Sequence, residues 1–134
     1  MKLKKLHLLL LIIVSGIIIS CDKDAENDKE CIEYENAYVT SVNSPDTGIV
    51  GETINIEVNF GVFNGCGRFG KFIETENGNT RTIEVEAKYE GCFCTQYAPI
   101  RSVNYKFITN SAGNYELRFK SSPTEFISVN LTIN

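Results

Sequence analysis

Residues 32–134 are predicted to form an all-β sandwich of two packed sheets, on three observations. Apolar residues alternate with polar ones at a period of two in five segments, and no segment repeats at the helical period. Clusters of Gly, Pro, Asn, Asp and Ser interrupt the alternation at intervals of mostly ten to fifteen residues. Strands with one apolar and one wet face, and no helix to cover them, must bury the apolar face against another sheet.

Taken in chain order, the first strand is a weak one over 37–43, with either Tyr38 and Val42 or Ala37 and Val39 as its inner set. The next is unambiguous. Ile54, Ile56, Val58 and Phe60 alternate with Thr53, Asn55, Glu57 and Asn59. A second weak strand runs over 68–75 around Phe69, Phe72 and Ile73. Three further alternating sets follow: Ile83, Val85, Ala87 and Tyr89; then Val103, Tyr105 and Phe107; then Tyr115, Leu117 and Phe119. The chain closes on Ile127, Val129, Leu131 and Ile133, which makes seven strands. Between them stand the turn signals Ser44-Pro45-Asp46, Asn64-Gly65, Asn77-Gly78-Asn79, Ala98-Pro99, residues 110–113 and Ser121-Ser122-Pro123.

Gly113-Asn114-Tyr115-Glu116-Leu117 resembles the tyrosine corner of Ig-like domains, in which a Tyr opening a late strand bonds back to the preceding corner. The resemblance implies a seven-stranded antiparallel Ig-like β-sandwich. It implies the general architecture only, because Leu117 stands where an immunoglobulin has cysteine and the chain has no Trp.

The N-terminus has a different character. Lys2, Lys4 and Lys5 precede an apolar run over 8–19 that is broken only by Ser15 and Gly16. As a helix the run would measure about 18 Å, too short for a hydrocarbon core of roughly 30 Å. With Ile18-Ile19-Ser20-Cys21 the stretch resembles a bacterial lipoprotein precursor. The resemblance implies a signal peptide over 1–20, acylation of Cys21 and attachment to membrane through lipid, with no other cofactor. Residues 22–35 carry seven acids and two lysines, a composition that cannot form a core and predicts a solvated tether, assigned to 21–31 ahead of a domain over 32–134. Lys23, Asp24 and Glu26 resemble the export signal of Gram-negative surface lipoproteins, which implies outer-membrane, cell-surface display. A plain linker explains the same residues and leaves a periplasm-facing anchor as the alternative.

Composition excludes several function classes. Removing residues 1–20 takes three of the 13 Lys and Arg and none of the 17 Asp and Glu, so the mature net charge is −7. An acidic chain is a poor partner for nucleic acid or anionic lipid, both of which need clustered Lys and Arg. The one histidine, His7, goes with the signal. That removes the usual general base, the Ser-His and Cys-His pairs and the common zinc ligand.

Four cysteines remain: Cys31, Cys66, Cys92 and Cys94. An even number in an exported chain predicts two disulfides. If Cys92-Phe93-Cys94 is extended, its two thiols sit near the upper limit for bridging, so each should seek a distant partner. Cys66–Cys94 with Cys31–Cys92 is the favoured pairing, and the swapped pairing stays open. The alternative use of Cys92, Cys94 and Cys66 is a soft-metal or redox site, which would make the domain a thiol-based module.

Other motifs carry less. Residues 65–70 spell G-x-G-x-x-G, but no helix follows, so the expected role is a glycine-rich corner where strands change sheets. Glu57, Glu84 and Glu86 could supply a glycosidase pair, yet they fall at outward strand positions. The acids over 22–28 lie in the tether rather than a calcium cage. Asn130-Leu131-Thr132 is a glycosylation sequon without evident meaning in a bacterial strand. The binding candidates are Arg68, Phe69, Phe93, Gln96, Tyr97 and Arg101, on loops that a rigid sandwich would present. The expected function is a non-enzymatic envelope domain with a binding or structural role toward a protein or glycan.

Overall fold

A computed structural model describes residues 31–134. The expected signal peptide, Cys21, the export signal and the 22–28 acids lie outside the described residues. The described chain has nine strands and no helix. They are β1 (Ile32–Ala37), β2 (Val39–Asn43), β3 (Thr47–Gly48), β4 (Ile54–Gly61), β5 (Gly67–Asn77), β6 (Thr80–Glu90), β7 (Ile100–Phe107), β8 (Gly113–Lys120) and β9 (Phe126–Ile133).

Two sheets form a β-sandwich. The smaller has the order β2-β4-β7. In the larger, β6 pairs β5 along one edge, while on the other β1 takes residues 85–90 and β8 takes 80–83; β9 and then β3 follow β8. The expectation of seven antiparallel strands is corrected to nine in a mixed arrangement, because β6–β8 and β3–β9 are parallel. A parallel pair needs a crossover, and here β7 supplies it by running through the opposite sheet between β6 and β8.

The apolar alternation places the core. Ile56, Val58, Phe60, Tyr105 and Phe107 of the small sheet face Ile83, Val85, Ala87, Leu117, Phe119 and Leu131 of the large one, each at most 1% exposed. Each large side chain buried this way is worth about 1.5–3 kcal/mol against exposure. The weak strands are explained by bulges. Thr40 is the extra residue between Val39 and Ser41, so Val39 is buried and Val42, three positions on, also packs against the core. Gly70 does the same in β5, letting Phe69 and Phe72 share one face. A Cβ at Gly70 would lie 2.8 Å from the Glu86 carbonyl oxygen, so the bulge requires glycine.

At the corner before β8, Tyr115 donates its hydroxyl to the Ser111 carbonyl at 2.9 Å and meets Thr109 Oγ1 at 2.9 Å. This is the geometry that the local motif implied.

Candidate functional site

Strand register fixes two opposite ends. Gly61 pairs with Ile100 at one end of the small sheet and Ile54 with Phe107 at the other. At the first end two loops emerge, residues 62–66 joining the sheets and residues 91–99 after β6. Cys66–Cys94 joins the loops to each other, and Cys31–Cys92 joins the second loop to the residue just ahead of β1, with Cα atoms 5.5 and 5.0 Å apart. Backbone bonds complete the clamp: Gly65 N–H to the Thr95 carbonyl at 3.1 Å, Val62 N–H to the Pro99 carbonyl at 3.1 Å, and Gly91 N–H to the Cys31 carbonyl at 2.9 Å.

Four of the six binding candidates keep exposed side chains, and the structure separates their roles. Phe93 is 99% exposed and Tyr97 72%, with Gln96 exposed between them. Arg68 is exposed, but its guanidinium donates to the Gly65 and Gly67 carbonyls, both at 3.1 Å. Arg101 donates to the same two carbonyls, at 3.3 and 3.1 Å. Both arginines therefore brace the glycine-rich corner. Phe69 turns into the sandwich, its ring 4.7 Å from that of Phe72 and 6.2 Å from that of Phe60.

The corner itself needs close approach, as its glycines suggested. A Cβ on Gly67 would fall 2.7 Å from the Tyr89 ring. Tyr89 accepts the Phe63 N–H at 3.2 Å, and burial first, with the charges of Glu35 and Glu33 adding, pushes its phenol above the ordinary range.

Sequence reasoning missed Phe63 and Ile100. Phe63 is half exposed and stacks on Tyr89 with centroids 3.9 Å apart, and Ile100 is 58% exposed where β7 starts. The available signal was Phe63 beside the Asn64-Gly65 turn, off the alternation of β4. A depression of about 360 Å³ lies between Cys31, Glu33, Asn64, Tyr89, Gly91 and Cys94.

The remaining chemical candidates are dispersed. Glu57 lies on the small sheet and accepts from Ser102 at 3.1 Å; Glu84 and Glu86 lie on the large one, with Lys120 at 2.9 Å and Lys71 at 3.5 Å. Glu84 and Glu86 share the outward face of β6, each beside a lysine, while Glu57 is on the other sheet. Asn130 is an exposed position of β9. Among the described residues no three His, Cys, Asp or Glu side chains are grouped so as to hold a metal ion, and Cys66, Cys92 and Cys94 are disulfide sulfurs rather than thiolates.

The family model described as the ORF11 beta-sandwich domain matches residues 56–129. The chain belongs to that family. The ORF11 beta-sandwich match runs from within β4 into β9 and contains both loops of the clamp, while Cys31 and β1 to β3 lie before it. No curated protein and no solved structure matches the chain.

Proposed function

We propose that the chain is a lipid-anchored, non-enzymatic domain of the outer membrane, displayed at the cell surface, whose contact surface is the clamped loop pair. The observation that carries this reading is Phe93, an almost fully exposed aromatic side chain on a loop that two disulfides hold in place. Burying a phenylalanine is worth about 1.5–3 kcal/mol, so a fixed loop that leaves one in solvent is suited to contact something outside the domain. The architecture is of Ig-like type: the corner built on Tyr115 supports this, and the parallel β6–β8 pair is its departure from that type.

The anchor is tested at Cys21. Cys21→Ser should leave the precursor unprocessed and without acyl label, and normal lipid labelling of that variant would end the anchored reading. Replacing Lys23, Asp24 and Glu26 together with Ala should move the domain out of reach of external protease; unchanged access would leave those residues a plain linker. Alkylatable thiols at Cys92 and Cys94 with stoichiometric copper or zinc would instead favour a thiol-based module.

A further inference from the structure

The anchor and the loops are placed by one residue. Cys31 is the first described residue, and its disulfide partner, Cys92, is the neighbour of Phe93. Nine residues lie between Cys21 and Cys31, and the ten Cα steps span at most about 35 Å when fully extended. The tether thus enters the domain at the end that carries Phe93, Tyr97, Phe63 and Ile100. The opposite end has its own exposed apolar residues, Ile49, Val50 and Ile108, but these are aliphatic and lie one strand length further from the anchor.

The chemistry of the near end is distinct. Residues 61–67 and 91–100 contain no charged side chain, in a chain that is 22% charged. The first charges after each loop are Arg68 and Arg101, and the one before the second loop, Glu90, pairs with Lys88 at 3.0 Å. Exposed Phe and Tyr on loops without charge match a bilayer interface, where aromatic rings rest at headgroup depth; Arg68 and Arg101 behind them are engaged by the Gly65 and Gly67 carbonyls and take no part. Both disulfides and the bonds from Gly65 and Val62 hold the backbone of the loops that present these rings.

We infer that the clamped loops are a membrane-interface contact, with Phe93 and Tyr97 resting in the headgroup region of the membrane that holds the anchor, a contact that needs no anionic lipid. The inference rests on the lipid anchor proposed above and names lipid as the partner of that end. Two aromatic side chains do not bind a protein to a bilayer by themselves. Attachment at Cys21 makes the contact intramolecular, so that a weak interaction is enough to orient the domain.

The chain has no Trp, so a single introduced one reports position without background. Acylated mature protein carrying Phe93→Trp, Tyr97→Trp or Ile108→Trp is reconstituted into phosphatidylcholine vesicles with brominated acyl chains, and anchoring is scored separately by flotation. Expected is flotation of all three, with blue-shifted emission and several-fold stronger quenching at positions 93 and 97 than at 108. Protein that floats with positions 93 and 97 unquenched, or with 108 quenched equally, overturns the contact and leaves the anchor standing. A crosslink in cells from position 93 to another envelope protein, with no quenching in vesicles, also overturns it and assigns the loops to a protein. Protein that does not float overturns the anchor, and the contact with it.

Discussion

Tyr105 on β7 donates its hydroxyl to Glu74 on β5 at 2.8 Å and accepts from Arg81 on β6 at 3.1 Å, so one buried phenol joins the two sheets through polar bonds. Arg81 is held further by Glu76 and by Glu74 at 3.4 Å, and lies 5.0 Å from the centroid of the Phe107 ring. Burial opposes its charge, but the bond to Tyr105 and the charges of Glu76 and Glu74 outweigh that and raise its affinity for the proton.

Alkaline pH should act on this junction. Burial is the largest cause that pushes the Tyr105 phenol well above its ordinary range, and the bond it gives to Glu74 adds to the shift. Ionisation in the unfolded chain begins near pH 10, while the folded phenol stays protonated. Its contribution to stability is complete below about pH 10 and is lost as pH rises toward the folded value. Urea unfolding measured from pH 7 to 11 should show a flat region and then a decline, and Tyr105→Phe should make the decline shallower while costing about 2 kcal/mol at pH 7. Tyr89, shifted in the same direction, keeps part of the slope in that variant.

Reductant should lower stability sharply. Cys66–Cys94 spans 28 residues and Cys31–Cys92 spans 61, and loops of that length make each bridge worth roughly 4 kcal/mol in the chain-entropy account. The unreduced domain should have a mass four hydrogens below that of the free thiols. Reduction should lower Tm by roughly 10 °C or more.

Gly70→Ala should cost roughly 1–3 kcal/mol, because its Cβ meets the Glu86 backbone inside the bulge and neither strand can move alone. Gly61→Ala is the comparison. Its Cβ would meet only Ile100 Cδ1 at 3.9 Å, an ordinary contact, so chemical denaturation should find it near neutral.

Tyr115→Phe should cost about 1 kcal/mol by losing the bonds to Ser111 and Thr109. The ring keeps its edge contact with Phe107 at 5.3 Å. Tyr115→Ala should therefore be clearly worse, and thermal melts of the two variants separate the hydroxyl from the ring.

The strands that were legible in the sequence are those whose burial follows a strict period of two: β4, β6, β7, β8 and β9. Thr40 and Gly70 each insert a residue that inverts the phase, which is why 37–43 offered rival inner faces and 68–75 showed no clean alternation. β1 was invisible for another reason. Its residues Glu33 to Asn36 are exposed, and it is held by backbone pairing with β6 and by the Cys31 bridge rather than by an apolar face. The acidic composition that predicted a solvated stretch through Glu35 therefore describes exposed side chains on a paired strand. At the loops, Phe93 and Tyr97 are exposed as their place in a loop suggests, while Phe69 packs inward because a bulge decides which way that ring points. Arg68 and Arg101 read as anchors for a partner, while their donors are turned to Gly65 and Gly67, a choice made by backbone carbonyls that no side-chain pattern encodes.

The Cys31–Cys92 bridge also decides how the domain meets mechanical force. A pull on the N-terminal segment would otherwise fall on β1, and would peel it from β6 one backbone bond at a time. With the bridge closed, tension passes covalently from Cys31 into the loop after β6, and through Cys66–Cys94 to the residue just ahead of β5. β1 is shielded from the load, and the pull falls instead on the clamped loops and the segments they join.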